Sequence, residues 1–241
     1  MKALVIKSTG SWYDVESEDG KLYKCRIKGK FRVDNIKSTN PVVVGDYVEI
    51  VSDSENWMID RLYERKNKIV RKSVNLSKQT HIIAANIDQA ILMITLRSPL
   101  TSTGFIDRFL VTAEAYQVPT IIVFNKIDIY DEFDREYHDE VVKVYSDAGY
   151  ECVEVSALNQ QNISLLKERM KDNVTLLSGH SGVGKSTLVN SIDPNLDLLT
   201  QQVSDAHQKG MHTTTFAEMF ELDFGGFIID TPGIKGLGLV E

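Results

Sequence analysis

The sequence predicts an α/β chain in two parts: a small five-stranded β-barrel over residues 1–72, and a mostly parallel six-stranded sheet covered by helices over residues 73–241. Three observations predict it. Residues 2–62 carry only short strand patterns punctuated by Gly, Asp and Asn. From about Ala84 onward apolar strands alternate with segments of helical period. A glycine-rich run ending in Gly184-Lys185-Ser186 lies where one of those strands gives way to a helix.

In the first part the strand patterns fall at residues 2–7, 12–15, 22–28, 42–51 and 57–62. Tyr23, Cys25 and Ile27 alternate with Lys24, Arg26 and Lys28, which gives that strand one apolar and one basic face. Five short strands in this length suit an OB-type barrel, a common oligonucleotide-binding shape. Tyr13, Phe31 and Trp57 either stack on unpaired bases or fill the barrel core. Arg61, Arg65, Lys66, Lys68, Arg71 and Lys72 form a basic run that either meets RNA phosphates or is a solvated linker.

In the second part strands are expected at 90–95, 120–124, 152–155, 174–178, 216–222 and 227–229. Thr103 is expected to cap a helix whose Phe105, Ile106, Phe109, Leu110 and Ala113 share one face. Further helices are expected at 134–148, 162–171 and 185–191.

Composition adds boundaries. The chain has 241 residues and 42% hydrophobic content, enough for a sizeable core. No stretch is long and apolar enough for a membrane span, and residues 1–6 lack the apolar core of a secretory signal, so a cytoplasmic protein without a membrane partner is expected. A monomer is the expected state. Cys25 and Cys152 are single and distant, which suits reduced packing residues. The net charge of −7 is unevenly placed: residues 1–79 hold 16 Lys/Arg against 11 Asp/Glu, a net of +5, and the remainder carries −12.

The chemistry-bearing residues begin with Gly179, His180, Ser181, Gly182, Val183, Gly184, Lys185 and Ser186, a phosphate-binding loop between a short buried strand and a helix. Its glycines let the backbone curl so that N–H groups aim at the α- and β-phosphates. Lys185 is placed to reach the β- and γ-phosphates, and the Ser186 hydroxyl to ligate Mg²⁺. Thr187 follows in the first helical turn, and His180 reads as a solvent-facing loop residue. Farther on, Asp230-Thr231-Pro232-Gly233 ends an apolar strand, so Asp230 is placed to hold Mg²⁺ through water and the Gly233 N–H to meet the γ-phosphate.

Nucleotide identity is carried by Asn125-Lys126-Ile127-Asp128. The Asp128 carboxylate can accept from both guanine N1–H and N2–H₂, a pair adenine does not offer. Asn125 ties this loop to the phosphate loop, and the Lys126 stem lies over the base. Ser156 and Ala157 follow another strand at a spacing that lets the Ala157 N–H reach guanine O6. Ile234 stands after the D-x-x-G element and cannot orient water; His212 is the nearest candidate, either for that role or as a solvent-facing loop residue.

With these residues in this order, most of the chain resembles the circularly permuted GTPases that act on the small ribosomal subunit, the ribosome small subunit-dependent GTPase A (RsgA/YjeQ) family. The resemblance rests on Asn125-Lys126-Ile127-Asp128, Ser156-Ala157, the phosphate loop, Lys209-Gly210-Met211-His212-Thr213-Thr214-Thr215 and Asp230-Thr231-Pro232-Gly233. In an unpermuted GTPase the first two would come last. The resemblance implies an OB domain with an RNA role, a switch-loop histidine in catalysis at His212, and Thr214 as the threonine that completes the Mg²⁺ shell beside Ser186 and Asp230. It also implies the small subunit and its rRNA as partners, with GTP/GDP and Mg²⁺ as cofactors. Family members continue into a C-terminal zinc-binding domain, whereas this chain stops eight residues past Gly233 without a further Cys/His cluster, so zinc is not expected.

The function read from these features is slow GTP hydrolysis raised by the small subunit during its maturation, with Lys185, His212 and Thr214 as the catalytic set. One alternative is an RNA-binding module that uses GTP as a conformational signal with little turnover. A second is an ATP-using small-molecule kinase, against which Asn125 and Asp128 speak.

Overall fold

Five N-terminal strands close into a barrel in the computed structural model, which describes residues 1–28, 41–53, 56–72, 80–196 and 217–230. They are β1 (Lys2–Ser8), β2 (Tyr13–Ser17), β3 (Leu22–Ile27), β4 (Tyr47–Asp53) and β5 (Asn56–Leu62). Their order is β1-β2-β3-β5-β4, and β1 also pairs with β4 to seal the cylinder. The β3–β5 pairing is parallel and the others are antiparallel. Closure removes the sheet edges, and side chains at alternate positions (Val5, Tyr13, Val15, Cys25, Val48, Ile50, Ile59) fill the interior. Tyr13 is therefore core. Trp57 packs on Tyr23 with ring centroids 4.5 Å apart, and Phe31 lies outside the described residues.

The strand expected over 42–51 begins only at Tyr47. Gly45 has φ +88° and lies so close to the Ala85 carbonyl that a Cβ there would collide with it. Asp46, fully buried, accepts from the Val43 N–H at 2.8 Å and pairs with Arg65 at 2.7 Å, and both contacts hold the chain in a turn.

The expected basic run is in large part structure. β6 (Lys68–Lys72) and β7 (Thr80–Ala85) form an antiparallel ladder that joins residues on either side of position 72. Arg65 is committed to Asp46, and Lys66 to Asp88 at 2.8 Å. Ile69 and Ala84 enter the main core, while Val70 and Ile82 pack with Val43 in a small satellite cluster.

The second sheet holds the six expected strands: β8 (Gln89–Ile94), β9 (Thr120–Phe124), β10 (Glu151–Glu154), β11 (Val174–Ser178), β12 (Glu218–Glu221) and β13 (Phe227–Asp230). Their order is β10-β9-β8-β11-β13-β12, parallel throughout except that β12 runs antiparallel to β13. β12 also meets β1 at the Lys7–Glu218 register pair, so barrel and sheet are continuous.

Among the described residues four α-helices cover it: α1 (Thr103–Ala115), α2 (Glu132–Asp147), α3 (Ile163–Met170) and α4 (Lys185–Ile192). Because side chains alternate along a strand, Leu92, Ile94, Ile122 and Phe124 meet Ile106, Phe109 and Val141 on one face, while Ile91, Met93, Ile121 and Val123 meet Leu166, Leu188 and Ile192 on the other. Two helix starts differ from expectation. Thr103 is the first residue of α1 and Ser102 its N-cap, with no side-chain cap bond. α2 begins at Glu132 because Asp131 and Asp134 cap each other's backbone N–H groups.

Candidate nucleotide site

Five parallel strands end on the same edge of the sheet, and four of them lead into segments that carry the motifs. β9 ends at Phe124, before Asn125; β10 at Glu154, two residues before Ser156; and β11 at Ser178, before Gly179. β13 pairs Asp230 with Leu177, which brings its end beside the phosphate loop. Ligands in open α/β sheets bind outside the carboxyl ends of the strands, and this edge is that place.

The phosphate loop has the backbone its glycines permit. Gly182 and Gly184 adopt φ of +86° and +99°. A Cβ at Gly184 would lie 2.5 Å from Asn125 Nδ2, and one at Gly179 2.5 Å from the Met93 carbonyl. Lys185 opens α4 and its amine donates to the carbonyls of Gly179 at 2.7 Å and His180 at 3.0 Å, so the ammonium sits across the loop. Ser186 and Thr187 are exposed in the first turn of α4, and Val183 is buried beneath the loop. Ser181 is exposed.

The base-reading loop is tied to this one by its own side chains. Asn125, 2% exposed, donates to the Val183 carbonyl at 2.8 Å and accepts from the Ala157 N–H at 3.0 Å, joining three loops through one amide. Lys126 lies in the left-handed region at φ +66°, and its amine reaches the carbonyls of Ser98 at 2.6 Å and Gly182 at 2.8 Å. Its stem thus spans from the base-reading loop to the phosphate loop. Asp128 is exposed and accepts from the buried Ser156 hydroxyl at 2.6 Å, a bond that fixes the carboxylate's orientation.

Two expectations change. The Ala157 N–H is already engaged by Asn125, so its first role is to set the loop. His180 does not simply face solvent: Nε2 lies 2.7 Å from Thr101 Oγ1, and its ring meets Phe105 edge-on at 5.5 Å. His212, Thr214 and Gly233 lie outside the described residues, as does the side chain of Asp230.

Tyr130 is a site residue that the sequence did not announce. Its buried hydroxyl accepts from the Leu96 N–H and donates to the Asn125 carbonyl, both at 3.4 Å, and burial raises its pKa to about 12, which keeps it a donor. A tyrosine five residues past Asn125 carries no motif, so only the folded contact identifies it.

The 179–186 loop and the 125–128 loop, bound to each other on the carboxyl edge with the second earlier in the chain, carry the motifs of a GTPase in permuted order. The comparisons agree. The RsgA N-terminal domain model matches residues 2–57 and the RsgA GTPase model residues 62–240. The chain belongs to the RsgA GTPase family.

It is 56% identical to the Small ribosomal subunit biogenesis GTPase RsgA of Christiangramia forsetii and 55% identical to that of Bacteroides fragilis, covering 100% of this chain and 78% of each relative. Among solved structures it is similar to YjeQ from Thermotoga maritima, with a TM-score of 0.78 and 36% identity over 99% of this chain and 76% of the other. YloQ, described as a circularly permuted GTPase, aligns with a TM-score of 0.70 and 28% identity over 98% of this chain and 72% of the other.

Proposed function

We propose that this chain binds GTP with guanine specificity, hydrolyses it, and acts in the biogenesis of the small ribosomal subunit, which stimulates the turnover. The observation that carries the reading is the Asn125 amide, bonded at once to the phosphate loop and to the Ser156-Ala157 loop, because it makes base and phosphate recognition one site. Asp128, oriented by Ser156, is the guanine reader. Lys185 and the N–H groups of residues 179–187 hold the phosphates. The two relatives' names supply the subunit.

The donor set fits Mg²⁺, a hard cation that takes oxygen ligands and keeps several waters. The Ser186 hydroxyl stands exposed at the start of α4, and Asp230 ends the strand paired to the loop's own strand. Ser186, Asp230 and Thr214 would hold the ion, which neutralises charge on the β- and γ-phosphates when bound. His212 is assigned to orient the attacking water, since Ile234 cannot. The protein is taken to act in the cytoplasm as a monomer. Among the described residues no helix is long and apolar enough to cross a membrane.

The RNA-facing unit is assigned to residues 1–72 and the GTP unit to residues 73–241. On the barrel, Arg26 lies 4.0 Å over the Trp12 ring and Lys24 5.6 Å from it, a cationic aromatic edge suited to rRNA phosphates and bases. GTP turnover measured with and without purified small subunits tests the whole proposal. Stimulation is expected, about 10³-fold or more where a partner supplies missing transition-state groups. Equal rates would overturn the stimulated-GTPase reading, and negligible turnover in both would favour GTP as a conformational signal only.

A further inference from the structure

Residues 97–102, between β8 and α1, lie against the phosphate loop although no motif marks them. Pro99 sits where a Cβ on Gly182 would be 3.3 Å from its ring, and the Ser98 carbonyl shares the Lys126 amine with the Gly182 carbonyl. Thr101, 1% exposed, exchanges bonds with the end of β8: its N–H donates to the Thr95 carbonyl at 2.8 Å and its hydroxyl accepts from the Thr95 N–H at 3.0 Å. That hydroxyl then meets His180 Nε2 at 2.7 Å, across 79 residues of sequence.

The donors and acceptors around the His180 ring fix its proton positions. His180 Nδ1 lies 3.0 Å from the Ser181 carbonyl, which can only accept, so Nδ1 carries the proton. With the proton on Nδ1, Nε2 serves as the acceptor, and the Thr101 hydroxyl, already accepting from Thr95, has its own proton to donate there. In this arrangement both ring nitrogens of His180 and the Thr101 hydroxyl have matched partners. Phe105 of α1 packs edge-on against the ring and fixes its plane.

We propose that Thr101 and His180 are positioning residues for nucleotide binding: the 97–102 segment is a buttress that holds the phosphate loop open in its binding conformation, so that less ordering is needed when a nucleoside di- or triphosphate enters. The inference rests on the phosphate-loop reading above and deepens it. His180 acts through the loop backbone, since its ring is engaged by Thr101 and Phe105.

The test is the affinity of the full chain for N-methylanthraniloyl-GDP, titrated by fluorescence. His180→Asn keeps a donor near Nδ1 but falls short of Thr101, whereas His180→Gln reaches Thr101 with an acceptor. Thr101→Val removes the hydroxyl, and Thr101→Ser retains it. The expected result is a Kd raised about tenfold in His180→Asn and Thr101→Val, and within about twofold of wild type in His180→Gln and Thr101→Ser. The double variant Thr101→Val/His180→Asn should be no worse than the weaker single one, because both break the same bond. Should Thr101→Val fail to fold, the His180 pair decides alone. Equal affinity of His180→Asn and His180→Gln, or additive losses in the double variant, would overturn the buttress. A wild-type chain that does not bind the probe would overturn the phosphate-loop reading itself.

Discussion

The barrel and the parallel sheet are both built from apolar strands, but they finish their edges in opposite ways. The barrel returns β1 to β4, buries Asp46 against Arg65, and ties the Met1 ammonium to Glu49 at 2.8 Å on its surface. The sheet runs its parallel strands to a common edge and there leaves carbonyl-rich, glycine-rich loops that bond one another. Closure produces a shape that other molecules meet from outside. A shared open edge produces a pocket, because loops that are distant in sequence are delivered to one place by strand direction alone. Changes in the barrel should therefore act on stability and leave nucleotide preference alone, and changes at the sheet edge should do the reverse.

The largest effect should come at the edge. Lys185→Ala removes the ammonium that spans the phosphate loop, and GTP turnover is expected to fall about 10²- to 10³-fold, measured as phosphate release at saturating Mg²⁺. Asp128→Asn replaces two acceptors by one donor and one acceptor, which no longer matches guanine but does match xanthine. GTP binding should weaken by about 10² while XTP binding strengthens, and competition titrations read both.

The barrel's counterpart is Arg65→Met. Burial already holds the Asp46 pKa above the usual carboxylate value despite Arg65 beside it, so removing the guanidinium leaves a buried charge without its ion partner. A loss of about 3 kcal/mol is expected in urea denaturation, with guanine preference unchanged. The pH dependence has a definite sign: a carboxyl raised on folding favours the folded state below its unfolded value and disfavours it above. The deficit of Arg65→Met should narrow as pH falls toward about 4 and widen on the way up.

Smaller effects sharpen the same contrast. Gly184→Ala would place a methyl against Asn125 Nδ2 in a left-handed backbone, and nucleotide affinity should drop about tenfold. Lys7→Met removes the ion pair with Glu218 at the seam between barrel and sheet. Both side chains are partly exposed, so the cost should stay below about 1 kcal/mol and shrink with added salt.

The sheet was legible in the sequence because its signals are local. A buried apolar run followed by a glycine-rich loop and a helix start is written in consecutive residues, and strand direction supplies the rest. What escaped was written across the chain. Lys68 to Lys72 look like a basic run until Thr80–Ala85 pairs with them, and Arg65 looks solvated until Asp46 is folded beneath it. Thr101 and Tyr130 are ordinary residues in sequence, and only the fold brings one to His180 and the other to the Asn125 carbonyl. The strand expected from residue 42 was delayed to Tyr47 because its apolar run hid a buried aspartate turn.

On the proposed function, one pocket reads both guanine and phosphate. Competition of GTP and ATP for the wild-type chain in the presence of Mg²⁺ tests it most directly. Displacement of bound N-methylanthraniloyl-GDP by GTP, with ATP ineffective at about 10³-fold higher concentration, is the result expected. Displacement by the two nucleotides at equal concentration would contradict it.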